Sequence, residues 1–314
     1  MNGLMISEAY FLQCGLPMIE KKFAVYKDRI AVGLVGEGSE CFGFDDEISQ
    51  DHDWGPGFCI WLETEDYIEI GHALQNLYDD LPHSFMGLHK RVENPLSKGR
   101  IGVLNTQVFY KRFTGLNHVP ETLEQWRLIS EDRLSAATNG QVFYDPLGKF
   151  TSLRNRLKAY YPEEIRLKKI AARCMTMAQA GQYNYLRCVR HGETVAAQYS
   201  LSLFLEASIS MVFLLNKEYK PFYKWMHRAM QGLPLLGAQI YEMLNQLSKN
   251  ICLADDSMIR ECYMLVEDIS GLMIKELKRQ SLSDCNSDFL FDHGPIVQMK
   301  IQTEWLRNTD VMKD

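Results

Sequence analysis

Asp51 and Asp53, separated by one residue, are the most chemically suggestive pair in the 314-residue chain. In an extended segment residues i and i+2 fall on the same side. The two carboxylates can therefore converge on one hard cation, Mg2+ or Mn2+, as oxygen ligands. Eleven residues separate them from Gly38-Ser39. A glycine there lets the backbone approach a phosphate closely, with N–H groups and a hydroxyl to offer. Metal-binding carboxylates and a phosphate cradle are the parts that nucleotidyl transfer needs, because positioning and charge neutralisation do most of the work in phosphoryl-group chemistry. The plainer readings are a solvated pair of acids capping the next strand and a serine bonding its own turn. His52 faces away from its neighbours and reads as structural. Asp45, Asp46 and Glu47 read as solubilising loop acids, and Trp54 as packing. The loop is itself acidic: Glu37 and Glu40 flank Gly38-Ser39 and would repel a triphosphate unless cations compensate. Lys224, beside Tyr223 and four residues beyond Lys220, is the candidate countercharge.

Elements must hold these residues in place. Ile30 to Val35 reads as a strand ending at Gly36, and Phe58 to Leu62 as a second, buried strand. Arg100 to Tyr110 alternates as a third strand and Gln141 to Tyr144 as a fourth. Ile6 to Phe23 reads as helix broken at Gly15-Leu16-Pro17. Glu65 to Tyr78 has helical spacing, with Tyr67, Ile70, Leu74 and Leu77 on one face. Beyond about Phe150 the pattern is helical, with Pro162, Pro221 and Pro234 opening helices and long helices over Gly192 to Leu215 and Asp255 to Arg279. The expectation is an α+β fold: a mixed sheet with flanking helices over residues 1–150 as the catalytic domain, and an all-helical domain over 151–314 that closes over nucleotide and acceptor.

The Gly38-Ser39 and Asp51-x-Asp53 spacing resembles the signature of the polymerase-beta-like nucleotidyltransferase superfamily. More narrowly, Gly43-Phe44-Asp45-Asp46-Glu47-Ile48-Ser49-Gln50-Asp51-His52-Asp53-Trp54-Gly55-Pro56 is similar to the bacterial branch called DUF4037. So is a second block, Leu214-Leu215-Asn216-Lys217-Glu218-Tyr219-Lys220-Pro221-Phe222-Tyr223-Lys224-Trp225. The resemblance implies a metal-dependent transfer of NMP from an NTP, with ATP the expected donor, to a hydroxyl or amine. Asp51 and Asp53 would be the catalytic metal ligands, and Gly38, Ser39 and Lys224 would bind nucleotide. The third carboxylate common to the superfamily is missing from Ile101 to Phe109, which leaves Glu131, Asp132 and Asp145 as substitutes. That gap supports an alternative, a catalytically weak nucleotide-binding or regulatory protein.

Bulk properties narrow the partners. A net charge of −6 without a basic run argues against a general duplex binder and for a small-molecule acceptor. Eight scattered cysteines without a Cys-x-x-Cys pair exclude a zinc ribbon and fit a reducing, cytoplasmic compartment. Val195 to Leu215 is apolar but carries Glu206, which marks a core helix rather than a membrane span.

Overall fold

The computed structural model describes residues 2–50, 54–91, 99–249 and 256–314. Two compact units divide the chain: Met1–Glu121 with Ile129–Ala159, and Thr122–Leu128 with Tyr160–Asp314.

Unit 1 opens with helix α1 (Gly3–Tyr10), which passes through a π-turn (Phe11–Gly15) into α2 (Leu16–Lys22). The break expected at Gly15-Leu16-Pro17 is therefore a π-bulge inside continuous helix. Pro17 follows directly on this bulge, and a proline is a common cause of such a break in the i→i−4 ladder of a continuing helix. The elements that follow are β1 (Ala31–Leu34), β2 (Cys59–Leu62) and α3 (Thr64–Asp79). A short hairpin of β3 (Ser84–Phe85) and β4 (Leu88–His89) precedes β5 (Gly102–Asn105) and α4 (Thr106–Thr114). The chain then contributes α5 (Leu123–Arg127) to unit 2 and returns for α6 (Glu131–Thr138), β6 (Gln141–Tyr144) and α7 (Lys149–Lys158).

The sheet is mixed, in the order β5-β2-β1-β6. β1 is antiparallel to both β2 and β6, and β2 runs parallel to β5. Both faces are covered, which explains why β2 reads as a continuous apolar run. Phe58, Ile60 and Leu62 point into a core with Tyr10, Phe11, Leu74 and Tyr78. Trp61 points the other way and stacks on Phe150 at 3.8 Å, with Phe109 edge-on at 5.4 Å.

Two sequence expectations need correction. Strand β5 covers only the first part of Arg100–Tyr110. Alternation stops at Asn105, whose side chain accepts the Val108 N–H at 2.9 Å and so caps a helix. Phe109, Tyr110 and Phe113 then bury at helical spacing. On α3 the buried face is Asp66, Ile70, Leu74 and Tyr78, while Tyr67 is exposed. Asp66 is drawn inward by its ion pair with Arg29, and the Tyr78 hydroxyl accepts the Phe58 N–H at 3.1 Å.

Unit 2 is helical, as expected: α8 (Glu163–Met177), α9 (Leu186–Arg190), α10 (Thr194–Asn216), α11 (Tyr223–Met230), α12 (Gly237–Lys249), α13 (Asp256–Arg279), α14 (Leu290–Met299) and α15 (Glu304–Arg307). α10 is long and apolar enough to cross a membrane, yet 67% of its most apolar window is buried within the protein. It is a core helix. Lys168 of α8 is also fully buried, donating to Gln298 Oε1 at 2.7 Å and to the Asp310 carbonyl at 2.6 Å.

Candidate functional site

Strand direction decides what meets at one end of the sheet. The register pairs Gly33 with Cys59, Leu34 with Gln141, and Cys59 with Gly102. The carboxyl end of β1 therefore lies beside the amino ends of β2, β5 and β6. The Gly36–Glu40 loop, the approach to β2, Arg100 and the Asn139-Gly140 turn all gather there.

The loop is held from behind. Asn139 accepts the Gly36 N–H at 2.9 Å and donates to the Gly36 carbonyl at 2.6 Å. Gly140 has φ +61° and donates its N–H to the Cys41 carbonyl at 2.8 Å. A Cβ there would strike the Leu34 carbonyl, so the turn can approach β1 only as glycine. Arg154 clamps the same turn, donating to the carbonyls of Thr138 and Asn139 at 2.8 Å and of Gly140 at 3.1 Å.

Gly38 is the N-cap of a 3-10 turn, Ser39–Phe42, closed by Gly43 in the left-handed region. Among the described residues, the N–H groups of Gly38 and Ser39 and the Ser39 hydroxyl have no hydrogen-bond partner. Ser39 does have a turn role, since its carbonyl accepts the Phe44 N–H at 3.0 Å.

The two acids beside this turn are already neutralised within unit 1. Glu40 is buried and paired with buried Arg91. Burial pulls the Arg91 guanidinium down, but the Glu40 carboxylate outweighs it and holds the group above its ordinary value. Nearby Cys41 is pushed well up by burial and by the Glu40 charge, so it is an inert thiol. Cys59 is raised to about 12, chiefly by burial. Glu37, at the mouth of the loop, receives Arg112 and also Arg100, the latter at 3.2 Å. These three arginines are what sequence reading missed. Arg91 lies 51 residues from Glu40 and Arg112 lies 75 from Glu37, with no periodicity to link them.

Chain geometry explains Arg112. Four strand residues at about 3.3 Å each span about 13 Å, and nine helical residues at about 1.5 Å each span about the same. Helix α4 therefore runs back along β5, and its last turn returns level with the start of the strand. Lys111 and Arg112 in that turn also complement the helix dipole.

The remaining candidates distribute as follows. Asp51 and Asp53, with His52, lie outside the described residues. Asp45 accepts the Gly3 N–H at 2.6 Å and the Trp54 indole N–H at 3.2 Å, tying α1 to both ends of the acidic loop. Asp46 accepts the Ser49 N–H at 3.0 Å. Asp145 lies past the far end of β6, away from the loop, where it accepts the Thr151 N–H at 2.8 Å. Glu131 is buried in the first turn of α6. Among the described residues no cluster of three His, Cys, Asp or Glu side chains could hold a metal, and both loop acids are committed to arginines. Lys224 belongs to unit 2, exposed, with its ammonium 5.8 Å from the Trp225 ring centre. Lys220 pairs with Glu206 at 3.4 Å and Lys217 with Glu163 at 3.5 Å.

The family model for DUF4037, a domain of unknown function, matches residues 126–226. The DUF4037 resemblance is thus borne out over that segment, which contains the Leu214–Trp225 block; the 43–56 block lies outside it. Among solved structures, the chain is similar to a nucleotidyltransferase-like protein from Exiguobacterium sibiricum, at 12% identity over 96% of this chain and 91% of that one, with a TM-score of 0.36. No curated protein matches the chain.

Proposed function

We propose that the protein is a nucleotidyltransferase that moves NMP from an NTP, with ATP the expected donor, to an acceptor hydroxyl or amine. The observation that supports this best is the Gly38-Ser39 turn. Its N–H groups and hydroxyl have no partner among the described residues, while the flanking acids are cancelled by arginines of the same unit. An anion can approach such a turn without meeting uncompensated carboxylates.

In this reading Gly38 and Ser39 hold the β- and γ-phosphates. An acceptor oxygen or nitrogen attacks the α-phosphorus in line, its bond to phosphorus forms, and the bond to the bridging oxygen breaks. Pyrophosphate leaves with that electron pair, and the acceptor's proton passes to solvent or a base. Bound Mg2+ or Mn2+ would supply charge neutralisation, with Asp51 and Asp53 holding it. Lys224 is the proposed countercharge to the departing pyrophosphate. A small-molecule acceptor in the cytoplasm suits the acidic chain better than nucleic acid.

The test is transfer of label from each α-32P NTP to components of a cell extract. Label moved by wild-type protein and lost in Asp53→Asn is expected; equal transfer by both would refute the assignment. A second reading, a nucleotide-binding regulator, gains support from the lack of a third carboxylate in Ile101 to Phe109. It predicts NTP binding without pyrophosphate release.

A further inference from the structure

The two acids at the loop are paired in different ways, a difference that a purely structural role does not require. Arg91 and Glu40 have side chains only 4% and 2% exposed, so their pairing belongs to the core and is not open to exchange. Arg112, Arg100 and Glu37 are 33%, 28% and 41% exposed. Solvent screens a pair of that kind, and it contributes little to stability. Two guanidinium groups from separate elements, the lead-in to β5 and the last turn of α4, nevertheless converge on one oxygen, Glu37 Oε2. Arg112 donates a hydrogen bond to that oxygen and Arg100 approaches it as an ion pair through Nε, and guanidinium groups gathered at one oxyanion suit a phosphate, which has more acceptor oxygens than a carboxylate. Arg91 lines the same small cavity with its Nε buried and unpartnered.

We propose that Arg100 and Arg112 form a clamp for the terminal phosphates of a nucleotide, and that Glu37 is a resident anion which those phosphates displace. This rests on reading the Gly38-Ser39 turn as a phosphate loop. The Glu37 carboxylate stands in for a phosphate oxygen between the two guanidinium groups and swings into solvent when a polyphosphate enters. Displacement releases two screened contacts and forms several charge-assisted bonds to a more highly charged anion. Glu37 also acts as a filter. A ligand with one phosphate gains too little to dislodge it, so di- and triphosphates are selected over monophosphates.

Calorimetric titration of the full-length protein with ATP, pyrophosphate and AMP tests this. Glu37→Gln is expected to tighten ATP and pyrophosphate about tenfold, with AMP unchanged, while Arg112→Ala and Arg100→Ala each weaken ATP about tenfold. Arg112→Lys keeps the charge but loses the fork, and is expected to fall between wild type and Arg112→Ala. Thermal unfolding of each variant separates lost binding from lost fold. Unchanged or weaker pyrophosphate binding by a folded Glu37→Gln protein would overturn the clamp, even if label transfer proceeds. Tighter pyrophosphate binding by Glu37→Gln in a protein that transfers no label would uphold the clamp and refute the transferase reading. No binding of ATP or pyrophosphate by wild type or Glu37→Gln would end both.

Discussion

Charges placed without water have the largest individual effects in this protein. Glu40 and Arg91 satisfy one another in the core, and removing either leaves the other buried and unpaired. Arg91→Ala is expected to cost about 3–5 kcal/mol by denaturant titration, whereas Glu40→Leu with Arg91→Met together should return close to wild type. Lys168 differs because its partners, Gln298 and the Asp310 carbonyl, are neutral. Burial and the nearby Arg127 charge push its pKa down from 10.5 to about 8, against the pull of Asp314 and Asp310. A depressed lysine prefers its neutral form in the folded state. The unfolded chain then binds more protons between pH 8 and 10.5, and stability rises across that window. The gain should be on the order of 2–3 kcal/mol. Because buried Cys41 and Cys59, with raised pKa values, pull stability down above about pH 9 in both proteins, the test is the difference: unfolding free energy of wild type minus that of Lys168→Met should grow by this amount from pH 8 to 10.5.

At the scale of elements, the loop after β1 takes its shape from a neighbour. Asn139 bonds both the N–H and the carbonyl of Gly36, and Gly140 packs against Leu34 where no side chain fits. Asn139→Ala should destabilise unit 1 by about 1–3 kcal/mol through the two polar groups left unmade, and should weaken pyrophosphate binding by loosening the turn. Calorimetry and urea titration check the two effects separately. The third strand of the sequence reading shows how such patterns mislead. Arg100 to Tyr110 alternates for a few residues, and a short apolar run fits strand or helix equally well. Asn105, a helix-capping residue type, was the local sign that the strand ends there.

For the molecule as a whole, net charge governs partners more than shape does. The net charge is −6, the sequence has no long run of Lys and Arg, and Arg91, Arg100 and Arg112 are each engaged by a carboxylate, so weak affinity for a duplex is the expectation. Filter binding at 150 mM salt should therefore retain no duplex DNA or RNA, and affinity measured at lower salt should show a shallow dependence on salt concentration. A steep dependence would point to a nucleic-acid acceptor instead.

Local chemistry made part of this readable in one dimension. Strand β2 follows from its apolar run, the turn from Gly38-Ser39, the helices of unit 2 from their period and prolines, and the DUF4037 segment from the Leu214–Trp225 block. Each depends on residues close in the chain, where spacing translates directly into geometry. The neutralisation of the loop does not. Glu37 and Glu40 look like an obstacle to phosphate until strand order and the return of α4 bring in Arg91, Arg100 and Arg112. A countercharge sought on Lys224 is present within unit 1 itself. Coulomb attraction depends on distance through space, and only the tertiary structure sets that distance for residues 51 and 75 positions apart.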